Sequence, residues 1–550
     1  MPSARVEPII AKRSDNPAFL FLCEAVKNFI PLQLYPTIQT MKKVCLIILD
    51  GFGEGKPEPT NAIFAAKTLF IDSLRRDNPW GLLEPGGASV GVLPGQTGGS
   101  DVGHNTMGTG QVVRQPIKII HDAIEDKSFF QNKTLKAAID HAQKNNSNVH
   151  LFGIGSDSFV HAYTPFLYAI LDVCRQENFP GDRVFLHLGT DGRDNPQDSA
   201  PKWISKIEKA CEERKVGRIA SLFGRILFDR GKNWKLTEKL YDLFTVPTQS
   251  YIQDWRKYLE ENYKKDIYDQ LHPPVALGNE SGMFPRISDG DSVINFNFRS
   301  DRERQITAAF ASDFSEFNRK TVLSDIFYAG MIPYSAELPE AHALFEEEQN
   351  NICLAEVLEK KGLRQLHISG SEKFIFVTYN FDRCKELELA HEAEQEVPQT
   401  REVDTFDKNP EMSAPNLTKI LLEKLEEAKT DVYIINYENC DQVGHTGNLE
   451  AAIQAVETVD QALSQVIPKM LEKGFEVIVT ADHGNADIMV DEKGGPHTAH
   501  THNKVPFIFI SSKKEVQVKP EGTLVDIAPT ILDLLEIEKP VEMIGESLIV

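Results

Sequence analysis

Short runs of continuous apolar residues alternate with longer amphipathic stretches along most of this chain. The runs at 44–49, 149–154, 184–188, 219–223, 293–296, 374–378, 432–436, 477–480 and 505–510 are almost unbroken Val, Ile, Leu and Phe. Strands covered on both faces have this pattern, so the spacing predicts buried parallel strands. Between them lie segments such as 414–428, where Leu417, Ile420, Leu421 and Leu425 recur at intervals of three and four, the period of a helix with one buried face. Strand and helix in alternation indicate an α/β fold.

Each predicted strand runs into polar residues. Asp50 follows the first, Asp441-Gln-Val-Gly-His445 comes just after the run at 432–436, and Asp482-His483 follows the run at 477–480. The middle of the chain delivers a different chemistry: Asp157 to His161, Asp191-Gly-Arg193-Asp194, Arg225, and Asn297-Phe-Arg299-Ser-Asp-Arg302. Ligands of open α/β sheets bind at the carboxyl ends of strands. Carboxylates and imidazoles thus come from the two ends of the chain and arginines from its middle, the pattern an inserted domain leaves. The seams fall near 114–117 and within 334–344, where Pro333 and Pro339 interrupt the rhythm. The Glu- and Gln-rich stretch 386–402 reads as a solvated loop.

At 550 residues the chain is long for one core, and 41% hydrophobic with 25% charged residues marks it as globular. No apolar stretch approaches the ~20 residues that cross a bilayer. A net charge of −22 argues against nucleic acid or an anionic membrane surface as the partner. If the ligand is an anion, positive charge must be concentrated locally, and Arg193, Arg225, Arg299 and Arg302 at strand ends do that. Seven cysteines without a CxxC pair form no disulfide framework, which suggests a reducing, cytoplasmic compartment. Residues 1–40 make a poor signal peptide and are expected to be an extension.

Asp441 and His445 share a face if that loop turns helically, and Asp482-His483, on extended backbone, would point at two different ions. With His500 they form a mixed oxygen and nitrogen set suited to Mn²⁺, Mg²⁺ or Zn²⁺. His497 and His502 are expected at the periphery. Gly98-Gly-Ser100-Asp-Val-Gly-His104 presents one serine in a glycine-rich loop, where backbone can approach a phosphoryl group closely.

These motifs, with Asp50-Gly-Phe-Gly, Thr480-Ala-Asp-His-Gly-Asn-Ala-Asp487 and Thr498-Ala-His-Thr501, closely resemble the cofactor-independent phosphoglycerate mutases of the alkaline phosphatase superfamily. The resemblance covers residues 41 to 550 in order. It implies a discontinuous alkaline-phosphatase-like domain (41–114 and 345–550) with an inserted α/β phosphotransferase domain (117–335). It further implies two Mn²⁺, or Mg²⁺ or another divalent ion, with no 2,3-bisphosphoglycerate. One ion would take Asp441, His445 and His500, the other Asp50, Ser100, Asp482 and His483. Ser100 would carry the phosphoryl group, Asp194 and Lys373 would assist, and His161, Arg193, Asp194, Arg225, Arg230, Arg299, Arg302 and Lys373 would hold the substrate. The implied activity is interconversion of 3-phosphoglycerate and 2-phosphoglycerate by a monomer. A phosphomonoesterase or phosphopentomutase is the alternative within the superfamily, and a metal-binding scaffold the alternative outside enzymology. The nucleophile loop departs from the usual Gly-Asn-Ser-Glu at Gly99 and Asp101, and Arg225 and Arg230 stand one residue closer than usual.

Overall fold

A computed structural model describes residues 42–550 except 312, 336–340, 349–350 and 513–515; the extension 1–40 lies outside the described residues. Two mixed α/β sheets organise the chain. The first has eight strands in the order Glu392–Val397, Gln365–Gly370, Val432–Tyr437, Lys43–Leu49, Phe475–Thr480, Val505–Ile510, Trp80–Glu84 and Glu521–Thr523. The first five pair in parallel, so their carboxyl ends share one edge. The second sheet is centred on Val149–Ile154, flanked by Val184–Thr190 and Ser292–Asn295, with Arg218–Gly224 beyond; these four are parallel as well.

Each sheet has its own apolar core. One gathers residues from Val44 to Met107 and from Leu354 to Leu548, the other gathers Leu93 and residues from Ile117 to Leu344. The second sheet continues through Phe327–Gly330 to His342–Ala343. The central strands are buried along their whole length, because both faces carry helices.

Three expectations need correction. Residues 374–378 are helical and lead into the π-helical turn Phe376–Asn380; the strand in that region is Gln365–Gly370, whose Gln, His and Ser disguise it. A five-residue apolar run cannot by itself distinguish a strand from a buried helical turn. The strand Val505–Ile510 pairs antiparallel, not parallel, with Phe475–Thr480. That reversal puts its amino end, and His500 before it, at the edge where the parallel strands deliver their carboxylates. The stretch 386–402 contains the edge strand Glu392–Val397, whose charged residues suit a sheet edge.

The helix Ser100–Thr109 is almost wholly buried and begins at the serine. It packs on the segment after Gln365–Gly370 so closely that a methyl group on Gly108 would lie 2.1 Å from the Phe381 carbonyl oxygen. Gly108→Ala therefore should lower stability by about 1–3 kcal/mol and misplace Ser100; equal thermal unfolding and activity for the two chains would contradict this seat.

Candidate active site

Strand ends and one helix start bring the expected polar residues into a single buried cluster. Asp50 follows Lys43–Leu49 directly, and Gly51, with φ of +77°, turns the chain so that Asp441 can approach; a methyl group there would sit 2.7 Å from the Asp441 backbone. Asp441 and His445 fall on and just after the short helix Asn439–Gly444, so their side chains meet, with Nε2 3.2 Å from Asp441 Oδ1. His500 Nε2 reaches the same oxygen at 3.4 Å and His445 Nε2 at 3.2 Å. The imidazoles of His445 and His500 are anchored through Nδ1 on the carbonyls of Thr498 (2.7 Å) and Gly98 (2.8 Å).

Ser100 Oγ lies 3.0 Å from His483 Nε2, 3.3 Å from Asp50 Oδ1 and 2.5 Å from Lys373 Nζ. Lys373 also contacts Asp50 Oδ1 and Asp441 Oδ2, each at 2.7 Å. Asp482 and His483 do not diverge: Nε2 stands 3.3 Å from Asp482 Oδ2, and the His483 ring stacks on His500 with centroids 3.7 Å apart. His104, which sequence reasoning passed over, lies one turn into the serine helix. Its Nδ1 is 2.8 Å from the Ser100 carbonyl and 3.4 Å from Asp482 Oδ2, and its Nε2 is 3.0 Å from Asn436, which also donates to Asp50 Oδ2. The i, i+4 spacing of Ser100 and His104 was the available signal.

Burial and charge decide the protonation states. Burial alone would push the Lys373 ammonium down, but Asp50, Asp441 and Asp482 outweigh it and hold the group above its ordinary range. Burial likewise works against the Asp441 carboxylate, yet Lys373, His445 and His500 keep it well below the usual value. Asp50 is raised by burial, then by Asp482. His483 is pushed down to about 3 by burial, with His500 adding to it, so its ring is neutral.

The cluster has the chemistry of a divalent-metal site. Asp441, His445 and His500 form one set of converging donors, Asp50, His104 and Asp482 a second, and Asp50, Asp441 and His483 a third. Three buried carboxylates face one ammonium, and fully buried Asp482 Oδ2 has no hydrogen-bond partner among the described residues. Buried charge of that kind needs cations close by.

The arginines gather at the edge of the second sheet. Arg225, 2% exposed, pairs with Asp191 and, at 2.5 Å, with Asp194 Oδ2. Asp301, not singled out beforehand, lies among Arg230 (2.6 Å), Arg299 (3.4 Å) and His161 (3.6 Å). Arg302 donates to the Phe228 carbonyl, while its Nε, Arg225 Nε and His161 Nδ1 are buried with no hydrogen-bond partner among the described residues. His161 is pushed down to about 3, first by burial and then by Arg225. Arg193, Arg230 and Arg299 are exposed. Neutral His161 beside spare guanidinium donors is a receptive setting for an anion.

A cleft of about 410 Å³ separates the two clusters. Gln96–Gly99 and Asp101 form one wall, and Phe159, Val160 and Phe298–Ser300 form the other. Phe159 holds a φ of +62° and is 40% exposed there, an arrangement costly for a bulky side chain.

Comparison with known proteins gives a consistent picture. Residues 42–539 match the family model described as the Metalloenzyme superfamily. A 2,3-bisphosphoglycerate-independent phosphoglycerate mutase from Acetivibrio thermocellus is 39% identical over 513 residues, 92% of this chain and 99% of that protein. The enzyme of the same name from Pseudomonas putida is 39% identical over 515 residues, 93% of this chain and 99% of its own. A solved structure of Leishmania mexicana phosphoglycerate mutase at low cobalt concentration superposes with a TM-score of 0.71 at 29% identity, covering 94% of this chain and 98% of that one.

Chelation of divalent ions should lower the thermal midpoint by roughly 5 °C or more, and restored Mn²⁺ should recover it, because the carboxylates lose their counter-charge. An unchanged midpoint under chelation would mean that Lys373 alone satisfies them.

Proposed function

Since this chain belongs to the Metalloenzyme superfamily and to the 2,3-bisphosphoglycerate-independent phosphoglycerate mutases, we propose that it interconverts 3-phosphoglycerate and 2-phosphoglycerate through a phosphoserine at Ser100. The observation that carries this reading is one serine hydroxyl, at a helix start, within 3.3 Å of a carboxylate, an imidazole and an ammonium. Two divalent ions, Mn²⁺ in our reading, would be held by Asp441, His445 and His500 and by Asp50, Ser100, Asp482 and His483, with His104 beside the second set. Bound there, they supply positive charge against the phosphoryl group and the serine oxygen.

The protein's own groups do the rest. Ser100 Oγ bonds to phosphorus as the bond to the glycerate oxygen breaks, and the serine's proton ends on that oxygen. Lys373, kept charged by its carboxylate neighbours, donates to Ser100 Oγ and favours its anionic form. The helix start at Ser100 adds backbone N–H groups facing the phosphoryl oxygens. His161, Arg193, Arg225, Arg230, Arg299 and Arg302 retain the glycerate carboxylate and the incoming phosphate while glycerate reorients. Asp194 takes the proton of the other hydroxyl, whose oxygen bonds to phosphorus as the bond between phosphorus and Ser100 Oγ breaks, and the proton returns to Ser100 Oγ. Closure of the cleft around Phe159 and Gly98 excludes water, which would otherwise turn the mutase into a phosphatase.

We read the two cores as two domains, 41–114 with 345–550 and the insertion 117–335, with the second seam nearer Leu344 because His342–Ala343 pairs into the inserted sheet. The enzyme is read as a cytoplasmic monomer acting on a small molecule. The cysteines among the described residues are free, and no described helix is long and apolar enough to cross a membrane. A plain phosphomonoesterase would have no use for the arginine cluster.

Ser100→Ala should reduce conversion by roughly 10⁴-fold or more while both ions are retained, because Asp50, Asp482 and His483 still hold the second; appreciable turnover by this variant would remove the phosphoserine from the account. Arg299→Ala, exposed at the cleft wall, should cost on the order of 10²-fold in kcat/KM with little change in thermal midpoint. An unfolded Arg299→Ala chain would make that arginine structural.

A further inference from the structure

Outside the Ser100 cluster, and sharing no residue with it, a second group of donors converges. His367 lies in the strand Gln365–Gly370, Glu392 opens the edge strand beside it, and Asp382 follows the π-helical turn Phe376–Asn380. One donor atom from each lies within 4.8 Å of the others. His367 is fully buried, Asp382 is 2% exposed and the Glu392 side chain 4%. Asp382 Oδ1 and both carboxylate oxygens of Glu392 are buried without a hydrogen-bond partner among the described residues.

Two further facts define what is missing. Glu392, Glu394 and Glu356 surround Asp382, so negative charge accumulates around a buried carboxyl group. The adjacent Arg383 engages Glu356 through Nε at 2.9 Å and Nη2 at 3.0 Å. His367 has polar neighbours at both ring nitrogens. The Gln365 amide nitrogen donates to the Ala355 carbonyl at 3.1 Å, which turns Gln365 Oε1 toward His367 Nε2 at 3.2 Å. Nδ1 lies 3.4 Å from Glu392 Oε1 and 2.7 Å from the Val377 carbonyl, to which an Nδ1–H donates, and a cation bound at Nδ1 would displace that proton. An imidazole nitrogen and two buried carboxyl groups converging on one point form a ligand set.

We propose that His367, Asp382 and Glu392 bind a divalent cation distinct from those of the Ser100 site. One nitrogen and several oxygens suit Mn²⁺ or Zn²⁺. Metal–ligand bonds of about 2.1 Å at tetrahedral angles separate donors by about 3.4 Å, the spacing found between Nδ1 and Oε1. A doubly charged ion neutralises both carboxylates, and the Gln365–His367 contact is the outer partner such an imidazole needs. The cation ties both sides of the segment that carries Lys373: His367 precedes that lysine, Asp382 follows it, and Phe381 backs the serine helix at Gly108. Its role is to hold Lys373 against Ser100.

The test counts ions. The full-length chain and its Asp382→Asn/Glu392→Gln variant, both shown folded by circular dichroism, are dialysed against Mn²⁺ or, in a parallel arm, Zn²⁺, and bound metal is measured by mass spectrometry. The variant should hold about one equivalent fewer in at least one arm. Equal stoichiometry in both arms would overturn the site and leave a proton shared by the two carboxyl groups. If the double variant does not fold, an Asp50→Asn/Asp441→Asn chain provides the reverse count: about one equivalent retained supports the proposal, and none overturns it.

Discussion

Three carboxylates that would repel one another in the absence of cations occupy one dry point of this molecule. Asp50, Asp441 and Asp482 follow the ends of strands far apart in sequence, and each is at most 1% exposed. Burying them is unfavourable unless positive charge is close. Lys373 supplies part of that charge, and the donor sets around it are suited to supply the remainder as bound ions. Much of the first sheet can be understood as the means of holding this arrangement. Parallel pairing aligns the strand ends, Gly51 permits the close approach, and Gly108 lets the serine helix sit against the lysine segment.

The second sheet solves the opposite electrostatic problem. A chain of net charge −22 must offer an anion a positive pocket. It does so with guanidinium groups beyond the carboxyl ends of three of the parallel strands, Arg225 restrained by Asp191 and Asp194 and Arg230 and Arg299 by Asp301. Asp301 works both ways: it positions Arg230 and Arg299 while tempering a cluster that would otherwise repel itself. The cleft between the sheets brings the glycine-rich serine loop within reach of the arginine loop, which is the juxtaposition a phosphoryl transfer requires.

Much of this was legible in the sequence because buried parallel strands have a clear signature and their polar exits are easily read. Val149–Ile154 and Val505–Ile510 stand where their apolar runs do. Strand direction is another matter. Nothing in a run of six apolar residues distinguishes parallel from antiparallel, and the reversal of Val505–Ile510 emerges only from pairing. Gln365–Gly370 was hidden because its polar side chains are satisfied inside the fold, as when His367 meets Gln365 and Val377. Glu392–Val397 was hidden by the charge that an edge strand tolerates. His104 and Asp301 lay within motifs already singled out, yet their roles depend on which neighbours the fold brings to them.

The most direct test of the central claim is conversion of 3-phosphoglycerate by the full-length chain with Mn²⁺, with EDTA, and with no added 2,3-bisphosphoglycerate. The account predicts 2-phosphoglycerate with Mn²⁺ and its disappearance with EDTA. Glycerate and free phosphate as the products, or conversion that proceeds equally well in EDTA, would contradict it.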